Sequence, residues 1–283
     1  MNKKNMMYAF FSLLILLSSC FTGQSQGIHM IKSFKEFDFE NIEKGTIVIF
    51  DVDGVLINPA SKLFWPKIEK EHGEWIGQLY SKVFERAKNH PGFYFSKILE
   101  KETPIIIEPI IVDIINRLQN RGITVIALTT SSTGSSFVIP SIPIWRFDKL
   151  KDVGIDFSKT NIPNIEFTEL PAKELEDGNP IFYNGILFTS DSSKGEVLTA
   201  FFEHMKLKPS RVIFFDDRKY NLESVSQAMD KLGISFSGYE YLGESYMPGE
   251  LDKQVASYQL NYVIDNDKWL TEDEAQALLN KAN

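Results

Sequence analysis

Three short apolar runs punctuate an otherwise mixed chain: Thr46 to Phe50 (TIVIF), Ile123 to Leu128 (ITVIAL) and Val212 to Phe215 (VIFF). Each is continuous rather than alternating, rich in β-branched or aromatic side chains and bounded by polar residues, as expected of a strand covered on both faces. Helical patterns lie between them. From Pro109 to Arg121, Ile111, Ile114, Ile115 and Leu118 recur at helical spacing, with Glu108 and Pro109 at the start and Gly122 as the stop. From Ser193 through Met205, Val197, Leu198, Phe201 and Phe202 share a face. Strand, helix, strand, helix, strand implies right-handed crossovers and a parallel sheet with helices on both sides, a three-layer α/β fold. A ligand then belongs beyond the carboxyl ends of the strands.

Two stretches depart from this alternation. Residues 57–103 interrupt the first crossover with a helix-like, aromatic-rich sequence that includes Phe64, Trp65, Trp75, Tyr80, Phe84, Phe93, Tyr94 and Phe95. It reads as a small helical cap whose aromatics form its own core. Residues 131–192 carry Pro140, Pro143, Pro163, Pro171 and Pro180, followed by IFYNGILF from Ile181 to Phe188. Asn184-Gly185 between two apolar runs predicts a β-hairpin.

With 43% hydrophobic positions over 283 residues, the chain can bury a core of ordinary size, so disorder is excluded. The net charge of −8 and the lack of a dense Lys/Arg stripe argue against nucleic acid as a partner. One cysteine, Cys20, rules out a disulfide framework or a multi-cysteine metal site, and the four histidines show no paired ligand spacing. Residues 1–20 read as an export signal: Lys3 and Lys4 precede the apolar run from Met6 to Leu17, which is too short to span a bilayer. Leu17-Ser18-Ser19-Cys20 resembles the bacterial lipobox, which implies a lipid anchor on Cys20 and a place in the cell envelope; an ordinary signal peptide is the alternative. Loss of Lys3 and Lys4 with the signal takes the net charge from −8 to −10. Phe21 to Gly27 reads as a short polar tether, with one folded unit over 28–283.

The chemistry lies in the residues that close the apolar runs. Asp51-Val52-Asp53-Gly54-Val55 follows the first, Thr129 and Thr130 the second, and Asp216 and Asp217 the third, while Lys194 precedes Asp216 by 22 positions. Parallel strands bring these termini to one sheet edge. Four carboxylates in one cleft repel each other unless a cation joins them, and oxygen-only ligands call for a hard ion such as Mg²⁺. The ion offsets repulsion between an anionic nucleophile and a phosphate ester, and Lys194 and Thr129 supply further donors to phosphoryl oxygens.

In order and spacing these residues resemble the four motifs of the haloacid dehalogenase (HAD) superfamily: DVDGV at Asp51 to Val55, ITVIALT ending at Thr129, Lys194, and the pair Asp216-Asp217. NGILFTSDSSKGEVL (Asn184 to Leu198) and FDDRKYNLESV (Phe215 to Val225) look like an exported branch of that superfamily in Gram-negative bacteria. The resemblance implies a Rossmann-like core and hydrolysis of a small phosphomonoester. Asp51 would be the nucleophile and Asp53 the general acid and base, with Mg²⁺ held by Asp51, the Asp53 backbone carbonyl, Asp216 and Asp217. Which of Asp216 and Asp217 binds directly stays open. A non-catalytic envelope lipoprotein that binds a partner and a phosphotransferase or mutase are the alternatives. Two further residues are flanking candidates: Asn221, near the metal or on a helix surface, and Arg146, in the loop after the second motif, gripping an anion or forming an exposed salt bridge.

Overall fold

The computed structural model describes residues 27–170 and 178–282. Its elements in chain order are β1 (Gly27–Ile31), β2 (Thr46–Phe50), β3 (Ile57–Pro59), α1 (Pro66–Phe84), α2 (Pro91–Lys101), β4 (Pro104–Ile106), α3 (Ile110–Asn120), β5 (Thr124–Thr129), α4 (Ile142–Asp152), β6 (Ile165–Glu166), β7 (Ile181–Tyr183), β8 (Ile186–Phe188), α5 (Lys194–His204), β9 (Arg211–Asp216), α6 (Lys219–Leu232), β10 (Ser235–Tyr241), α7 (Lys253–Asn266) and α8 (Glu272–Ala282). The signal and lipobox expected over 1–20 fall outside the described residues, as does the tether except for Gly27, which opens β1.

Eight strands form one sheet in the order β1-β10-β9-β2-β5-β8-β7-β6. β1 through β8 in that order run parallel, and the β7–β8 hairpin turning at Asn184-Gly185 adds an antiparallel edge. This is the expected three-layer, Rossmann-like α/β architecture. Period-2 alternation explains why a fully buried run such as TIVIF serves both layers. Val48 and Phe50 face α3, through Ile111, Ile114, Ile115 and Leu118. Ile47 and Ile49 face α5 and α6, through Val197, Leu198, Phe201, Leu222 and Val225.

The first face also carries a segment that strand and helix periodicity does not predict. After β1, a 3₁₀ turn at Phe34–Glu36 lays Phe34, Phe37 and Phe39 across Phe50, Phe215, Tyr239 and Tyr241. Phe34 stacks on Tyr241 at a ring separation of 4.4 Å, and Phe37 meets Phe215 edge-on at 5.2 Å. Glu108 fastens this segment by accepting hydrogen bonds from Ser33 Oγ (2.6 Å), Phe34 N (3.0 Å) and Tyr241 Oη (2.6 Å).

β3 and β4 pair antiparallel into a two-stranded ribbon at the root of α1 and α2. The apolar cluster under these helices joins Trp65, Ile68, Ile76, Leu79, Val83, Tyr94 and Ile98 to Leu260, Val263, Ile264 and Trp269. The helical layer is therefore completed by α7 and the chain just beyond it, more than 150 residues away in sequence. Glu102 ties the two parts, accepting from Ser61 N (2.7 Å), Ser61 Oγ (2.9 Å) and Trp269 Nε1 (2.8 Å). Among the described residues no helix is long and apolar enough to cross a membrane.

Candidate active site

β2 lies between β5 and β9, with Phe50 level with both Ala127 and Phe215. The residue after Phe50 is thereby set beside the end of β9, and Asp51 N donates to Phe215 O at 2.8 Å. Asp216 ends β9 itself. Lys194 arrives from the start of α5, whose first turn is capped by Ser193 Oγ accepting from Glu196 N at 3.3 Å. α5 approaches α6 closely because position 195 is glycine: a Cβ there would sit 2.3 Å from Ser224 O.

The Lys194 side chain is fully buried, its ammonium 2.8 Å from Asp51 Oδ1 and 2.6 Å from Asp216 Oδ2. Asp216 Oδ1 accepts from Arg218 N at 2.8 Å and from Asn221 Nδ2 at 3.1 Å. Asp51 Oδ1 also accepts from Val52 N at 2.7 Å. Asp217 completes the group, paired with Arg218 Nε at 2.9 Å. Oxygens of Asp51, Asp216 and Asp217 lie within 4.8 Å of one another. Gly54 makes room for this: its φ is +80°, and a Cβ would press on Asp217 Oδ2 at 2.9 Å.

Burial pushes the Asp51 carboxyl well above the usual carboxylate range, with Lys194 opposing and Asp216 and Asp217 adding to the rise. Asp217 is pushed up to about 6 by burial and then by Asp216. Burial works against the Lys194 charge, but Asp51 and Asp216 outweigh it and hold the ammonium above the ordinary lysine range. Carboxylates under such mutual repulsion, offering only oxygen, fit a hard divalent ion, and Mg²⁺ needs no more than one or two of them.

The remaining candidates divide between buried and exposed positions. Thr129 ends β5, buried, its Oγ1 accepting from Ser131 N at 3.4 Å. Asp53 is half-exposed, and both its oxygens are taken by Arg146, Nη1 to Oδ1 and Nη2 to Oδ2, each at 3.0 Å. Arg146 sits on α4 rather than in a loop, and the salt bridge is open to solvent on its Asp53 side, whose side chain is 53% exposed against 11% for Arg146. The Ser141-capped helix that carries it begins two residues after Pro140, within the proline-bearing stretch that departs from the strand–helix alternation. Asn221 is buried against Asp216 and not on the helix surface. Lys149, one turn beyond Arg146, gave no sequence signal; its Nζ donates to Glu102 O (2.7 Å) and Glu100 O (3.2 Å) at the end of α2.

Comparison with known proteins finds relatives along nearly the whole chain. An uncharacterized protein of Rickettsia prowazekii is 28% identical over 241 residues, 85% of each chain. A protein of Chlamydia trachomatis named "Putative outer membrane protein" is 25% identical over 96% of this chain and 97% of its own. Among solved structures, a haloacid dehalogenase-like hydrolase of Streptococcus pneumoniae is 14% identical, covering 68% of this chain and 83% of that one, at a TM-score of 0.36, a likeness too slight to argue from. The family model described as "Protein of unknown function (DUF2608)" matches residues 30–276, and the chain belongs to that family.

Proposed function

We propose that the protein is a Mg²⁺-dependent phosphomonoesterase of haloacid dehalogenase type. The observation that carries this reading is the convergence of Asp51, Lys194, Asp216 and Asp217 from β2, α5 and β9 at the carboxyl edge of a parallel sheet. Asp51 attacks phosphorus, forming an aspartyl-phosphate as the P–O bond to the alcohol breaks. Lys194 favours the ionised form of Asp51 against its burial and offers its remaining N–H to the phosphoryl oxygens, with Thr129 a further donor. Asp53 gives its proton to the leaving oxygen and then takes one from the water that cleaves the acyl phosphate, which releases phosphate and restores Asp51. Bound Mg²⁺, held by Asp51, the Asp53 carbonyl and the Asp216-Asp217 pair, supplies positive charge that offsets the repulsion between nucleophile and ester.

Release of p-nitrophenol from p-nitrophenyl phosphate tests the reading. Activity is expected with Mg²⁺ and is lost with EDTA and in Asp51→Asn; equal rates in all three conditions overturn it. The Arg146 fork on Asp53 favours one second reading, a binding protein that keeps the metal site with its acid locked. Under it, Mg²⁺ raises the melting temperature but no ester is turned over. A phosphotransferase or mutase would instead pass the phosphoryl group to an added alcohol.

The site's cellular setting follows from Cys20 and from the relatives. The lipobox-like Leu17-Ser18-Ser19-Cys20 supports a lipid anchor, and the outer-membrane name carried by the chlamydial relative supports a place in the cell envelope. Cys20→Ser is expected to move the protein from the membrane to the soluble fraction; retention in the membrane removes the anchor from the account.

A further inference from the structure

Arg146 raises a difficulty for the proposed reaction and points to its resolution. A carboxylate whose two oxygens both accept from a guanidinium fork cannot deliver a proton to a leaving oxygen, so the fork on Asp53 must open before chemistry. Opening it into water would strand a largely buried guanidinium, because the Arg146 side chain is 11% exposed and rests on the Trp145 ring at 4.9 Å. An oxyanion that takes over the two N–H groups opens it without that cost.

The surroundings provide a place for such a group. A cavity of about 50 Å³ lies between Asp53, Arg146 and Lys149 on one side and the apolar root of the helical layer, Ile57, Leu99 and Pro104, on the other. Lys149 pairs with no carboxylate among the described residues; its ammonium is matched by the Glu100 and Glu102 carbonyls alone. Glu102 also lines the cavity, and its carboxylate oxygens accept from Ser61 and Trp269. Two cations therefore border the cavity, beside the half-exposed carboxylate of Asp53 and that of Glu102, which is already hydrogen-bonded by Ser61 and Trp269.

We propose that Arg146 and Lys149 form a subsite for a second acidic group of the substrate, a carboxylate or a second phosphate, and that its arrival transfers the Arg146 fork from Asp53 to the ligand. This rests on the phosphomonoesterase reading and narrows it to esters whose alcohol part is itself anionic. Arg146 is a specificity-determining residue on this account and also the lock on Asp53.

Binding and turnover test it separately. Calorimetric titration of the metal-free protein with malonate is expected to show binding that Arg146→Gln weakens by about tenfold or more, as loss of a charge-assisted bidentate contact implies. Lys149→Gln weakens it less, and Asp51→Asn leaves it in place. Equal malonate affinity in wild type and Arg146→Gln, or no binding to wild type, overturns the subsite. In turnover, phosphoglycolate and ethanediol bisphosphate are compared with ethyl phosphate, so that the two acids separate carboxylate from phosphate recognition. Wild type is expected to prefer one acidic ester over ethyl phosphate by about tenfold in kcat/KM. Arg146→Gln abolishes that preference while raising kcat on ethyl phosphate, because Asp53 is freed. Arg146→Lys, which keeps the charge and loses the fork, falls between. A uniform loss on all three esters assigns Arg146 a structural role and overturns the proposal; absence of turnover on every ester with malonate binding intact removes the phosphomonoesterase reading alone.

Discussion

Asp217 is a carboxyl group placed where both its burial and its neighbour Asp216 oppose its charge, which raises its pKa to about 6. A folded-state value above the unfolded one means that the folded chain binds more protons between roughly pH 4 and 6, so the associated stability is present at the acid end and lost as pH rises through 6. Asp51 shifts in the same direction. Thermal melts of metal-free protein are therefore expected to show a falling contribution across that window, and Mg²⁺ to raise Tm more at pH 7.5 than at pH 5; a stabilisation by Mg²⁺ equal at both values contradicts the assignment. Gly54 bears on the same carboxylate. Gly54→Ala must place a Cβ at φ +80° against Asp217 Oδ2, and the expected result is Mg²⁺ affinity reduced by about tenfold, read by titration calorimetry. At this scale the sequence was informative about which residues carry charge to the sheet edge, because Asp51, Thr129 and Asp216 each terminate an apolar run. It was silent on pairing: nothing in the spacing of Asp53 and Arg146, 93 positions apart, announces a bidentate contact.

Among the elements, β2, β5 and β9 were legible because strands buried on both faces leave continuous apolar runs, and α3 because its apolar positions repeat with the helical period. α7 was not. Its buried side chains meet α1 and α2 across most of the chain, and an amphipathic stripe does not say which surface it covers. The same holds for Phe34, Phe37 and Phe39, whose aromatic contacts come from a 3₁₀ turn and a loop with no period to detect. Trp269 tests the importance of the distant packing. It is 1% exposed, and its indole N–H is one of the donors that satisfy the buried Glu102. Trp269→Ala is expected to cost about 3–5 kcal/mol in urea unfolding, through the cavity it leaves and the donor it removes. Trp269→Phe restores the packing without the N–H and separates the two contributions.

For the molecule as a whole, the first and last parts of the described chain have different tasks. The C-terminal helices brace the layer that stands over the carboxyl edge of the sheet, whereas the N-terminal strand closes the sheet's far side. β1 runs parallel to β10 and, through it, to β9 and β2. Gly27 is level with Ser237 of β10, and so with Ile213 of β9 and Val48 of β2, three positions before the level of Asp216 and Asp51. The six residues between Cys20 and Gly27 bridge no more than about 25 Å even when fully extended. A protein held by fatty acyl chains on Cys20 would hang by an edge strand of its sheet on a short leash, and its reactive mouth would stay near the bilayer surface.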